Sequence, residues 1–221
     1  MNNPWSEMSD SPPYILKNDS REIEVFNKKY QRTDYTIHPE LIPEPYIGNL
    51  NSEIVLLNLN PGFSKENAME HETPYFKSIL LDNLTHKNIS FPFYYLNPKL
   101  SHVRGASWWI IKLRSLITIY GLENVANRIL CIEYFPYHSK KYRNVGRILE
   151  SQEYSFYLLR QAIQAQKLII IMRSRKIWEE AVPILTKYKK AFALTNPQNV
   201  YVTKNNCPSG FPFIENVFAK R

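Results

Sequence analysis

The sequence predicts an α/β protein of three layers, with a small four-stranded parallel sheet covered by helices on both faces. Three observations predict it. Four short apolar runs of strand length occur, the first stopped by Asn-Pro-Gly, patterns of helical period lie between them, and polar, aromatic and basic residues gather directly after the runs. Strands alternating with helices imply right-handed crossovers, which place helices on both sides of a parallel sheet.

Residues 1–20 are polar and contain Pro12-Pro13, which predicts a loosely held arm before one domain over 21–221. Residues 21–50 mix charged and aromatic side chains and end in Pro43-Glu44-Pro45 and Gly48-Asn49, a short helix followed by an extended approach to the core. Ile54-Val55-Leu56-Leu57 is the first strand, continuous in apolar character and stopped by Asn-Pro-Gly, as a strand buried on both faces should be. Residues 64–105 have weak periodicity and are expected as loops. Ser107 is placed to cap a helix with Trp109, Leu113, Leu116, Ile117 and Tyr120 on one face and Gly121 at its end; Trp108 and Trp109 read as core. Ile129-Leu130-Cys131-Ile132 is the second strand, and a helix begins near Ser151. Leu168-Ile169-Ile170-Ile171-Met172 is the third, followed by a helix after Ser174 that Pro183 interrupts. Ala191-Phe192-Ala193-Leu194 is the fourth, and residues 213–218 form a short terminal helix.

Composition narrows the function. With 44% hydrophobic residues in 221, the chain is globular and not disordered. A formal charge of +8 favours anionic partners, nucleic acid first among them. The polar N-terminus and the lack of any membrane-length apolar run predict a cytoplasmic protein with no membrane partner. Cys131 and Cys207 have no close Cys or His neighbours, and the five histidines lack metal-ligand spacing, so neither metal nor cofactor is expected. Walker, GxGxxG and GxSxG motifs are absent, which removes phosphate-loop, dinucleotide and nucleophile-elbow chemistry.

Ligands of parallel α/β sheets bind beyond the carboxyl ends of the strands. There the sequence places Asn58, Asn60, Pro61, Gly62 and Phe63 after the first strand. Glu133, Tyr134, His138, Ser139, Lys140 and Lys141 follow the second, Arg173 and Arg175 the third, and Asn196, Gln198 and Asn199 the fourth. Such a set suits a planar polar heterocycle and a phosphate backbone. Taken alone, Asn60-Pro61-Gly62 is also a common turn, and Glu133 reads equally as a structural carboxylate paired with Arg173 or Arg175.

Asn60-Pro61-Gly62 resembles the first motif of the uracil-DNA glycosylase superfamily, in the form found in its mismatch-specific and single-strand-selective branches. Asn196-Pro197-Gln198-Asn199 stands where that superfamily has its second motif. The resemblance implies a monofunctional, metal-independent enzyme, acting as a monomer on DNA, single-stranded or mismatched, that flips out uracil or another altered base and hydrolyses its bond to the sugar. It implies that Asn60 orients the attacking water and that Asn196 stabilises the departing base. Phe63 would stack on that base, with Tyr75 and Phe76 as alternatives, and Asn58, Pro61, Gly62 and Glu133 would contact it. His138, Ser139, Lys140, Lys141, Arg173, Arg175 and Gln198 would hold phosphates, with Asn199, Val200 and Tyr201 wedged into the gap in the duplex. Glu133 departs from the amide that some relatives carry after the second strand, and a carboxylate there would suit a base presenting donors. The competing reading is a non-catalytic nucleic-acid or nucleotide-binding protein that keeps the fold.

Overall fold

In the computed structural model, which describes residues 1–220, the four apolar runs are strands and a fifth strand joins them; only Arg221 of the expected 21–221 domain lies outside the described residues. The strands are β1 (Tyr46–Ile47), β2 (Ile54–Asn58), β3 (Ile129–Glu133), β4 (Leu168–Ile171) and β5 (Ala191–Ala193), in the spatial order β1-β3-β2-β4-β5. β2 pairs in parallel with β3 and β4, and β4 with β5. Every residue of β2, β3 and β4 is buried, as continuous apolar runs require of a sheet covered on both faces.

β1 is the addition to the expected four-stranded parallel sheet. It lies antiparallel beside β3, with Tyr46 opposite Ile132 and Ile47 opposite Cys131. Gly48 makes this possible: its φ is +118°, and a Cβ there would stand 2.4 Å from the Ile129 carbonyl oxygen. The approach to β1 continues the pairing, with Glu133 N–H donating to Pro45 O (2.9 Å) and Glu44 N–H to Pro136 O (3.0 Å).

Eight α-helices are present among the described residues: α1 (Ser20–Tyr30), α2 (Lys65–His71), α3 (Pro74–Leu84), α4 (Arg104–Tyr120), α5 (Leu122–Arg128), α6 (Glu150–Gln164), α7 (Arg175–Ala181) and α8 (Phe211–Ala219). α4 buries Ala106, Trp109, Leu113 and Leu116 and ends at Gly121, whose φ of +82° breaks the helix. It starts before the expected Ser107 cap, and Ser107 faces outward within its first turn. Pro183 ends the run after α7 and opens a 3-10 turn.

Two expectations are corrected. Residues 64–105 are not loops alone but hold α2 and α3. Pro74 starts α3, and Phe76, Ile79, Leu80 and Leu84 bury one helical face that the short, proline-broken segment obscured. Nor is the amino-terminal arm loose. Trp5, Tyr14 and Leu16 are buried, Trp5 meets Tyr137 edge to face at 5.9 Å, and Asn3 Nδ2 donates to Leu84 O at 2.7 Å. A few apolar anchors among polar neighbours are enough to pin it.

Candidate functional site

After Asn58 the chain leaves the sheet through Leu59-Asn60-Pro61-Gly62-Phe63 and enters α2, which Ser64 caps by accepting from Asn67 N–H at 3.2 Å. The segment after β3 straps this turn down. Phe135 N–H donates to Leu59 O (2.9 Å), Ser139 N–H to Pro61 O (3.3 Å), and His138 Nδ1 to Gly62 O (2.8 Å). Asn60 Nδ2 donates to Pro61 O (2.9 Å) and to the O and Oγ of Ser139 (both 3.1 Å). Those bonds fix the amide's orientation and use its protons. Its Oδ1 accepts nothing among the described residues and is free to receive a hydrogen bond.

Asn58 and Glu133 are register partners on neighbouring strands. Asn58 Nδ2 donates to Glu133 Oε1 at 2.9 Å, while Asn58 Oδ1 and Glu133 Oε2 are buried with no partner among the described residues. Burial pushes the Glu133 pKa up to about 8, the Asn58 bond opposes the rise, and the charge of Glu44 adds to it. At neutral pH Glu133 is therefore largely a carboxylic acid. That corrects the expectation of a purely accepting carboxylate. No ion pair links it to Arg173 or Arg175: Arg175 pairs instead with Glu179 at 2.7 Å.

Behind this pair sits a buried cluster that the sequence spacing hides. Glu44 accepts from Tyr94 Oη (3.0 Å) and Tyr95 Oη (2.8 Å), and His138 Nε2 lies 3.4 Å and His71 Nε2 3.6 Å from its Oε1. The three are close enough to share one ion. The protons stand otherwise, however. His71 Nδ1 accepts from Ile42 N–H at 3.2 Å, so Nε2 carries the hydrogen and offers no lone pair. Both nitrogens of His138 face carbonyl oxygens, Gly62 at 2.8 Å and Ile42 at 3.0 Å. Burial is the largest influence on this ring and pulls its pKa down. A neutral ring would nevertheless turn a lone pair against a carbonyl, and the doubly protonated form beside the Glu44 carboxylate is the one these contacts fit. The cluster thus clamps the Asn-Pro-Gly turn.

A cleft of about 730 Å³ opens over the carboxyl ends of β2, β3 and β4. Of the expected residues it gathers Asn58, Asn60, Pro61, Gly62, Phe63, Glu133, His138, Ser139, Lys140 and Arg173. One face of Phe63 is covered by the His38 ring, stacked at 3.2 Å. The remaining expected residues are not brought there. Phe76 is buried against His71 and the Tyr94–Tyr95 pair, and Tyr75 is exposed on α3. Asn196 is exposed, and its Oδ1 accepts from Gln198 and Asn199 N–H (both 3.1 Å), closing its own turn. Val200 is fully buried, so the expected wedge has no free apolar tip there. Tyr201 lies under Lys112 Nζ, 3.9 Å from its ring centre. Lys140 and Lys141 share Asp34 at 3.0 and 2.9 Å, which halves the charge of that basic run.

The opposite wall was missed in the sequence. His102, Arg104, Ser107 and Trp108 supply it from α4 and the turn before; Asn67 and the buried Glu44 and Tyr95 also line the cleft. Trp108, expected as core, is only half-buried and faces this wall. Its helical phase is one position off the buried Trp109, a signal that helix position alone could have supplied.

Fold and site together define an α/β protein with a mixed five-stranded sheet and a polar cleft at the carboxyl ends of its central strands. Comparison with protein-family models, curated proteins and solved structures gives no match to this chain. No helix among the described residues is long and apolar enough to cross a membrane.

Proposed function

We propose that this chain is a DNA glycosylase of the uracil-DNA glycosylase kind, acting in the cleft above β2 and β3. The observation that carries the reading is Asn60. Its Nδ2 is tied to Pro61 and Ser139, so its Oδ1 stands ready to accept a proton-bearing group in a cleft lined by base-sized polar partners. That is what holding an attacking water requires. A neutral amide positions the water without taking its proton, so chemistry would be slower than with a carboxylate base.

A flipped base would enter edge-on towards Asn58 and Glu133, with the open face of Phe63 for stacking. As the bond between base and sugar breaks, electrons move onto the base, and donors aimed at that developing charge lower the barrier. Asn196, committed to its own turn, gives way in this role to the neutral Glu133 acid and the N–H groups of Gly62 and Phe63, which find no acceptor among the described residues. Arg104, Lys140 and Arg173 around the rim would meet phosphates.

Incubation with oligonucleotides carrying uracil, hypoxanthine, xanthine or modified pyrimidines, followed by alkaline scission, tests the proposal. Abasic sites are expected from at least one of them, with Asn60→Ala slowing their appearance by about a hundredfold or more. Tight binding without release of any base favours the non-catalytic reading. Failure to bind DNA or RNA at low salt sinks both.

A further inference from the structure

We propose that Asn58 and Glu133 form a two-point dock for a heterocycle presenting one N–H donor beside one acceptor, with Glu133 docking as the protonated acid. This rests on the reading of the cleft as a base pocket and specifies the edge that pocket takes.

The geometry leaves little else for these atoms to do. The two side chains share one hydrogen bond, from Asn58 Nδ2 to Glu133 Oε1, and do not close a second between Asn58 Oδ1 and Glu133 Oε2. Glu133 is only 2% exposed and Asn58 6%, and both line the cleft. Buried polar atoms are nearly always satisfied, so an adjacent unsatisfied pair in a cleft marks where a ligand's polar edge belongs. Asn58 Oδ1 can only accept. Glu133 Oε1 already accepts, so a proton on Glu133 resides on Oε2 and makes that atom a donor. An incoming edge must therefore offer N–H to Asn58 and an acceptor to Glu133.

The surroundings keep the proton in place. Glu44, with His71 and His138 behind it, faces Glu133 from the segment before β1, and its charge disfavours a second carboxylate. Cys131 lies on the same strand with Sγ 3.8 Å from Oε1, and Tyr95, bonded to Glu44, faces the pair from the turn before α4. Two cations favour ionisation: Arg173 beyond β4, which forms no ion pair with Glu133, and the doubly protonated His138 ring, whose charge is engaged by Glu44. Burial dominates these, and the acid titrates near 8. Above that pH the dock would present two acceptors and repel the acceptor of the ligand.

The test uses the full chain with 1-methyluracil, which has N3–H between two carbonyls, and 1,3-dimethyluracil, which keeps both carbonyls without N–H. Binding is followed by calorimetry or NMR from pH 6 to 9. The expected result is 1-methyluracil at least about tenfold tighter than the dimethyl probe, weakening about tenfold between pH 7 and 9 as the acid ionises. Glu133→Gln, a neutral isostere with the same donor and acceptor, should keep the preference and lose that pH dependence, which also controls for titration of the probe. Equal affinity for the two probes, no binding of either, or an unchanged pH profile in Glu133→Gln overturns the proposal. Base release is a separate readout. The docking pattern without release from DNA would leave this inference standing and remove the glycosylase; release without the pattern would do the reverse.

Discussion

At the scale of single residues, Glu133 and the glycines of the cleft make the sharpest statements. Glu133 has its pKa raised from an ordinary 4.5 to about 8 by burial. The fold thus holds the neutral acid, whereas the unfolded chain ionises freely above 4.5. Stability is present in full below about pH 4.5 and falls as pH rises through about 8. Glu133→Gln should match the wild type in acid and exceed it by a few kcal/mol at pH 9, measured by urea denaturation across that range. Parallel stability curves for the two proteins would contradict the buried-acid reading. Gly62 and Gly105 form a contrasting pair. A Cβ on Gly105 would stand 2.2 Å from the Tyr95 ring, so Gly105→Ala should cost about 1–3 kcal/mol and disturb the Tyr95 bond to Glu44. A Cβ on Gly62 meets nothing within 4 Å and the residue has no positive φ. Gly62→Ala should keep wild-type stability, to within about 0.5 kcal/mol, while weakening probe binding in the cleft. A drop in its thermal midpoint with unchanged binding would mean that the glycine serves the fold and not a ligand.

At the scale of elements, much was legible. Apolar runs of continuous character marked β2, β3 and β4, because a strand buried on both faces has no polar side to dilute the pattern; β5, an edge strand of three half-buried residues, also follows an apolar run. α4 and α6 showed a helical stripe long enough to rise above noise. β1 was not legible: two residues carry no period, and their pairing depends on Gly48 and on β3 some eighty positions away in the chain. The site divided along the same line. Asn58, Asn60 and Glu133 follow directly from where strands end. The Glu44–His71–His138 clamp and the α4 wall come from segments far apart in sequence, and only the folded chain joins them. Asn196 shows the opposite failure: a motif at the right strand end whose side chain is consumed by its own turn.

For the whole molecule, one hydrophobic cluster runs from Trp5 to Phe218, so the amino-terminal segment belongs to the core. Trp5→Ala should cost about 3–5 kcal/mol, a loss readable in denaturant midpoints; a change below about 1 kcal/mol would restore the picture of a loose arm. The charge of +8 is likewise more distributed than the sequence suggests, since Lys140 and Lys141 share Asp34 and Arg104 pairs with Glu66 at 2.9 Å.

The two outermost strands, β1 and β5, have only two and three residues. A sheet edge recruits foreign strands through its row of unpaired N–H and C=O groups, and edges this short offer scarcely one rung of such a ladder. Growth of the sheet by addition of another chain is therefore disfavoured on both sides. Self-association through cross-strand pairing, the common hazard of an exposed sheet, has almost no template here, which is a solubility advantage built into the topology and independent of the surface charge.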